Sequence, residues 1–247
     1  MILEACCGSP ESLIAAVEGG AQRVELCSAL ELDGLTPPWE WLSNARRLYP
    51  TLSIYVLIRP RAGDFCYTSD EVSLICSQVE QALDLGADGV VVGCLTPAGD
   101  VDMPAMEAIM ETVRSWTLAR DLVGDRCHAS NDFHFFPATR PDPSVTFHRA
   151  FDVCRKPLKA LEDIIALGCD RILTSGQAPT APEGIPLLRK LIRAARGRIT
   201  IMPGCGLTPD NIVQVAVETG ATELHGSFHG GTLVSAALAA LSAAFPD

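Results

Sequence analysis

Short apolar runs alternate with longer amphipathic stretches along the whole chain. The short runs are typical of buried strands, and serine, threonine, proline and glycine mark the boundaries of the helices between them. Strands are predicted at residues 2–7, 23–27, 52–58, 89–94, 145–152, 171–176, 198–202 and 222–225. Helices are predicted to begin near residues 9, 36, 69, 101, 157, 184, 208 and 233.

Eight strand–helix units in succession favour the α/β class and a single (β/α)8 TIM-type barrel over residues 1–247. In such a barrel strand 1 must pair with strand 8. An open doubly wound sheet would favour Gly-x-Gly-x-x-Gly after strand 1, but the chain reads Cys6-Cys7-Gly8-Ser9 there. Residues 118–144 break the rhythm, and we predict a surface insertion there.

Composition narrows the classes of function. The net charge of −11 argues against a nucleic-acid partner. There is neither an apolar run long enough to span a bilayer nor a signal-like start, so we expect a soluble cytoplasmic protein without a membrane partner. Ten cysteines without a Cys-x-x-Cys pair are expected to be reduced thiols.

Polar residues gather at the ends of the predicted strands, where barrel enzymes place their chemistry. Alternation along strands 1 and 2 is expected to point four side chains inward, namely Glu4, Cys6, Glu25 and Cys27. The ends of later strands add Arg59, His148, Arg149, Glu223 and His225. Two interpretations stay open: a closed salt-bridge network inside the barrel, or a functional site at its mouth.

Strings along the chain, from strand 1 to strand 8, resemble the CutC family. They are Glu4-Ala5-Cys6, Ala21-Gln22-Arg23-Val24-Glu25-Leu26-Cys27, Leu35-Thr36-Pro37, Ile58-Arg59-Pro60-Arg61-Ala62-Gly63-Asp64-Phe65, Thr146-Phe147-His148-Arg149-Ala150-Phe151-Asp152, Leu173-Thr174-Ser175-Gly176 and Glu223-Leu224-His225. The resemblance implies a barrel that forms a homo-oligomer, a dimer or tetramer, and a link to copper homeostasis. It places copper-binding cysteines at Cys6 and Cys27. Polar residues of the family pattern fall on Glu4, Glu25, Arg59, Asp64, His148, Arg149, Asp152 and His225. One departure is Gly204-Cys205-Gly206 where the family has a glycine triplet.

The first functional hypothesis is a copper homeostasis protein that binds Cu(I) through Cys6 and Cys27 at the barrel mouth, because soft thiolates select Cu(I). Cys94 and Cys205 also lie near strand ends, as does His225. We predict that Cys127, His128 and His134 belong to a surface loop and not to a zinc site, since their spacing matches no standard zinc pattern.

The alternative is an enzyme that acts on a small anionic or phosphorylated metabolite. His148, Glu4 and Glu25 would supply acid–base catalysis. The anion would be bound by Arg59, Asp64, Arg149, Asp152, Ser175, Gly204 and His225, partly through glycine turns whose N–H groups can face an anion. A scaffold that acts through an oligomer interface is a third hypothesis, so the sequence leaves open whether the protein is an enzyme.

Overall fold

Strands and helices alternate throughout the protein, in a computed structural model that describes residues 1–124, 141–228 and 230–246. The strands are β1 (Ile2–Cys7), β2 (Arg23–Leu26), β3 (Ser53–Leu57), β4 (Gly89–Val92), β5 (Ser144–Phe147), β6 (Arg171–Thr174), β7 (Thr200–Pro203) and β8 (Glu223–Gly226). The helices are α1 (Pro10–Glu18), α2 (Trp39–Leu48), α3 (Ser69–Asp84), α4 (Met103–Gly124), α5 (Pro157–Leu167), α6 (Ala181–Ala195), α7 (Ile212–Thr219) and α8 (Gly231–Ala244). Short 3-10 turns cover Leu30–Leu32 and Arg149–Val153.

All strand pairs are parallel, and the sheet runs in the order β7-β6-β5-β4-β3-β2-β1-β8. Strand β1 pairs with β8, with Ile2 opposite Glu223. A parallel bridge between Gly204 and His225 joins the two ends of the sheet. The predicted (β/α)8 barrel and the pairing of its first and last strands are therefore confirmed.

Local signals in the sequence set the helix ends. Ser9 and Ser12 form a capping box at the start of α1, and Thr68 and Glu71 form another at the start of α3. Helix α5 ends at Gly168, whose φ of 85° lies in the left-handed region that glycine tolerates best. No helix among the described residues combines the length and apolar character needed to cross a bilayer.

Two apolar layers follow from strand alternation. Leu3 and Ala5 of β1 belong to the large core between sheet and helices, whereas Cys6 belongs to a small cluster inside the barrel. Val24 and Leu26 of β2 repeat the outward pattern. Polar inward residues therefore share the barrel interior with few apolar ones.

Several predicted boundaries are wrong. Strand 5 was expected over residues 145–152, but β5 ends at Phe147 and Arg149–Val153 form a 3-10 turn. Helix α4 continues to Gly124, so residues 118–124 of the predicted insertion are helical, and residues 125–140 lie outside the described residues. Helix α2 begins at Trp39 rather than near residue 36, because Pro38 occupies the N-cap position. Strand β3 ends at Leu57, which places Arg59 in the connection after the strand.

Candidate functional site at the barrel mouth

The inward faces of β1 and β2 meet with a stagger. Glu4 lies opposite Arg23, and Cys6 lies opposite Glu25. The two Glu–Cys pairs are therefore offset by one inward position, and Cys27 lies one inward position beyond Cys6. The predicted orientation of all four side chains agrees with their burial.

Four charged side chains fill the interior near the N-terminal ends of the strands. Arg23 Nε donates to Glu4 Oε2 at 2.6 Å, and Arg23 Nη2 donates to Glu223. Arg171 Nε donates to Glu223 Oε2 at 3.0 Å, and both guanidinium groups lie over the ring of Tyr55 at 5.1 Å. We call Glu4, Arg23, Arg171 and Glu223 the ion network. It closes the barrel interior below the mouth.

The two arginines of the ion network were missed by the sequence analysis. Arg23 and Arg171 are the first residues of β2 and β6, and a charged residue at that position is easily assigned to the preceding loop. The signal was present in the alternation, because Arg23 precedes the inward Glu25 by two positions.

His225 lies between two carboxylates. Its Nδ1 is 2.8 Å from Glu4 Oε1, and its Nε2 is 3.5 Å from Glu25 Oε2. Burial alone would lower the pKa of His225, but the charge of Glu25 and hydrogen bonds with Cys6 and Glu4 raise it well above the usual value. Burial and the charge of Glu4 raise the pKa of Glu25, although the charge of His225 opposes this. His225 therefore connects the ion network to the mouth.

Cys6 and Cys27, the thiol pair, lie directly above His225. Their sulfur atoms are 3.5 Å apart, and both residues are buried. The two sulfurs and a carboxylate oxygen of Glu25 all lie within 4.8 Å of one another. Contact with Cys27, burial and the charge of Glu25 raise the pKa of Cys6 well above its usual value. A soft metal ion would have to displace that proton.

A cavity of about 920 Å³ opens above the thiol pair at the C-terminal ends of the strands. Its base contains the thiol pair, Glu25 and His225, and its walls include Arg59, His148, Arg149 and Asp152. Glu4 is 1% exposed and lies beneath His225, outside the cavity wall. Of the carboxylates, arginines and histidines expected at the mouth, Glu4 and Glu223 belong to the ion network, and the others line one cavity: Glu25, Arg59, His148, Arg149 and His225.

Other predicted residues lie apart from the cavity. The Asp64 side chain is 69% exposed and pairs with Arg61 at 3.1 Å. Gly204 donates its N–H to Thr174 O at 3.0 Å, so that this group is used in the sheet. Cys94 is buried and lies outside the cavity wall.

The turn after β6 binds a carboxylate of the protein itself, that of Asp152. The N–H groups of Ser175 and Gln177 donate to Asp152 Oδ1 at 3.0 and 3.2 Å, and the hydroxyl of Thr174 also donates to it. Arg149 Nε donates to Asp152 Oδ2 at 2.9 Å. The predicted backbone site for an external anion is thus filled by the Asp152 carboxylate, which ties the Arg149–Val153 turn to β6.

Arg59 and His148 line another part of the cavity wall. Arg59 Nη1 donates to Leu32 O at 2.8 Å and Gly34 O at 3.0 Å, and Nη2 donates to Gly63 O at 3.0 Å. His148 Nδ1 accepts from the Ala150 N–H at 3.1 Å. Burial and the nearby charge of Arg59 lower the pKa of His148 to about 3, which keeps its ring neutral.

The remaining predicted ligands do not join the thiol pair. Cys205 lines the cavity, but its thiol donates to Pro179 O at 3.3 Å. Within residues 1–124, 141–228 and 230–246, the group of three side chains that could share a metal ion is Cys6, Glu25 and Cys27. Cys127, His128 and His134 lie outside the described residues.

The fold and the site define a (β/α)8-barrel protein with two adjacent thiols and a carboxylate at its mouth. The sequence profile of the CutC family matches residues 1–133 and 138–230, so the chain belongs to the CutC family. A family protein CutC from Bacteroides fragilis is 47% identical over 224 residues, which cover 91% of this chain and 78% of the relative. A family protein CutC from Chromobacterium violaceum is 46% identical over 230 residues, covering 93% and 81%.

Solved structures agree with this assignment. The crystal structure of CutC from Streptococcus agalactiae, a protein named for copper homeostasis, superposes with a TM-score of 0.77 at 28% identity. The match covers 92% of this chain and 98% of that chain. The 3-keto-L-gulonate-6-phosphate decarboxylase of Vibrio cholerae superposes with a TM-score of 0.61 at 11% identity over 100% of this chain and 99% of that chain, which shows a shared fold alone.

Proposed function

We propose that the protein takes part in copper homeostasis by binding one Cu(I) ion between the thiols of Cys6 and Cys27. The observation that carries the proposal is the distance of 3.5 Å between the two sulfur atoms. Two thiolates can share one ion only when their sulfurs lie within twice a metal–sulfur bond, about 4.6 Å on the values known for zinc. The name of the Streptococcus agalactiae relative supports copper as the metal.

The chemistry of the donor set favours Cu(I) over harder ions. Thiolate sulfur is a soft ligand that selects Cu(I) or zinc, whereas the carboxylate of Glu25 is a hard ligand and adds little affinity for Cu(I). The cavity above Cys6 gives an ion a route to the sulfurs. Glu25 would lie beside the bound ion as a weak third contact, because two thiolates already exceed the single positive charge of Cu(I).

Anaerobic titration with Cu(I) against a competing chelator, read by native mass spectrometry, tests the proposal. The wild-type protein is expected to retain one Cu(I), and the double variant Cys6→Ser/Cys27→Ser none. Cys205→Ser is the matched control, because Cys205 lines the same cavity without joining the thiol pair. Equal copper content in the double variant and the control would refute the assignment.

We further propose that the protein acts in the cytoplasm as a homo-oligomer, a dimer or tetramer. The described cysteines are all free thiols, which suits a reducing compartment. Light scattering coupled to size-exclusion chromatography would measure the oligomer, and a monomer at micromolar concentration would contradict that part of the proposal.

The enzyme hypothesis is not part of this proposal. Glu4 is engaged by Arg23 and His225, and it lies outside the cavity. His148, with a pKa of about 3, is a poor proton acceptor at neutral pH. The acid–base roles of these residues and of Glu25 stay predictions.

A further inference from the structure

Arg59 is a buried cation without an opposing carboxylate among the described residues. It is 4% exposed, and its Nη atoms donate to three backbone carbonyls rather than to an acid. The other buried arginines, Arg23 and Arg171, are paired with acidic side chains of the ion network. A buried charge without a counter-charge is costly, which makes this arrangement unusual for a purely structural residue.

Arg59 also has a side-chain atom that lacks a hydrogen-bond partner in the described part of the chain. Over the described ranges, the buried side-chain polar atoms without a hydrogen-bond partner are Arg59 Nε, Tyr67 OH, Thr146 Oγ1 and His148 Nε2. All four belong to β5 or to the connections that follow β3 and β5. Buried polar atoms without a partner are uncommon in folded proteins, and two of these four belong to residues that line the cavity, Arg59 and His148.

The two cavity-lining members of this group are both donors. Nδ1 of His148 accepts from the Ala150 N–H, so the proton of the neutral ring is on Nε2. Arg59 Nε is an N–H donor of the guanidinium group. Both groups pack on Phe65, whose ring centroid is 4.9 Å from Arg59 Cζ and 5.0 Å from the His148 ring centroid.

We propose that a small organic carboxylate binds at this wall of the cavity, with its oxygens accepting hydrogen bonds from Arg59 Nε and His148 Nε2. The ligand carboxylate supplies the counter-charge that Arg59 lacks. The rest of the ligand occupies the cavity, whose volume of about 920 Å³ suits a small molecule. This site is separate from the thiol pair and does not depend on the proposed copper function.

A carboxylate fits the wall better than a phosphate does. The wall offers a single cation and two free donors, which match the single charge and two oxygens of a carboxylate. A phosphate dianion would bring a second negative charge to this wall, whose cation is Arg59; Arg149, the other arginine of the cavity, is already paired with Asp152.

Access to the donors requires a movement of Phe65. Arg59 Nε and His148 Nε2 are not exposed to solvent, whereas Phe65 is half-buried and lines the cavity. The ligand would have to displace the Phe65 ring, which lies on both side chains, to reach the two donors.

Calorimetric titration with sodium succinate, with sodium phosphate at matched ionic strength as comparison, tests the proposal. Wild-type protein is expected to bind succinate, and His148→Phe to bind it about tenfold more weakly, because one hydrogen bond to a charged group is lost. His148→Gln retains a side-chain donor and is expected to recover part of the affinity. Thr146→Val removes another unpartnered atom and is expected to bind as the wild type does.

The copper variant separates this proposal from the preceding one. Cys6→Ser/Cys27→Ser is expected to bind succinate unchanged, since neither thiol is one of the proposed donors. The proposal is overturned if the wild type binds no succinate, if it prefers phosphate, or if His148→Phe binds succinate as tightly as the wild type. Loss of succinate binding in the double cysteine variant would also overturn it by moving the ligand to the thiols. A crystal soaked in succinate should contain carboxylate density between Arg59 and His148.

Discussion

Replacement of Arg23 by methionine tests the central role of the ion network. Methionine is unbranched and fills most of the space of the arginine stem, but it removes one of the two partners of Glu4 and one of the two partners of Glu223. Removing one member of a buried ion pair leaves an uncompensated charge, so Arg23→Met should lower the free energy of unfolding by about 3–5 kcal/mol at pH 7. The lower end of that range is expected, because His225 still contacts Glu4 and Arg171 still contacts Glu223.

The pH dependence of this loss follows from the two carboxylates. Burial alone would raise the pKa of Glu4, but the hydrogen bond and charge of His225 and the charge of Arg23 lower it below 4.5. Burial is likewise outweighed at Glu223, where Arg23 and Arg171 lower the pKa. Groups with a lowered pKa contribute stability above their unfolded pKa and lose it as the pH falls through the folded pKa. The penalty of Arg23→Met should therefore shrink as the pH falls below 4.5.

Urea unfolding followed by circular dichroism at pH 7 and near pH 3 would measure both effects. The control is Arg198→Met, because Arg198 forms an exposed pair with Glu162 at 2.7 Å and should cost about 0–1 kcal/mol. A penalty for Arg23→Met as small as that of the control would refute the reasoning. So would a large penalty that does not change between the two pH values.

Two further predictions concern the walls of the cavity. Asp152→Ala leaves the N–H groups of Ser175 and Gln177 without their acceptor and should lower the free energy of unfolding by about 2–3 kcal/mol. Arg149→Ala should lower it by under about 1 kcal/mol, because Arg149 is partly exposed. Equal losses of unfolding free energy in urea would contradict this. Because the folded pKa of His148 is about 3 and the unfolded value is 6.5, His148 contributes stability above pH 6.5 that is lost as the pH falls towards 3. His148→Phe should therefore lose less stability than the wild type over that interval, and parallel curves for the two proteins would argue against a buried neutral histidine.

Alternation along the strands carried most of what the sequence could predict. It separates Leu3 and Ala5 from Glu4 and Cys6 without any knowledge of the partner strand, since successive side chains point to opposite faces. The stagger between strands depends on how the whole barrel closes. The contact between the Cys6 and Cys27 sulfurs therefore needed the structure.

Side-chain partners in the connections were beyond the sequence pattern. Asp152 was an expected ligand for an external anion, but it lies within reach of the Ser175 N–H only because the turn after β5 folds against the end of β6. Arg59 was expected to bind an anion as well, yet its Nη atoms hold carbonyls such as that of Gly34, which lies 25 residues earlier in the chain. Neither contact leaves a period or a motif in the sequence.

The ion network also determines how a bound ion can enter and leave the barrel. Arg23, Arg171 and their carboxylate partners fill the barrel below the cavity. The cavity is therefore a pocket that opens at the mouth and not a channel through the barrel. An ion held by Cys6 and Cys27 would have to depart by the same opening through which it arrived. Transfer of the ion to another protein would then require an acceptor group that enters the opening and competes for the ion while it is still bound. The width of the opening would therefore limit which acceptors can receive the ion.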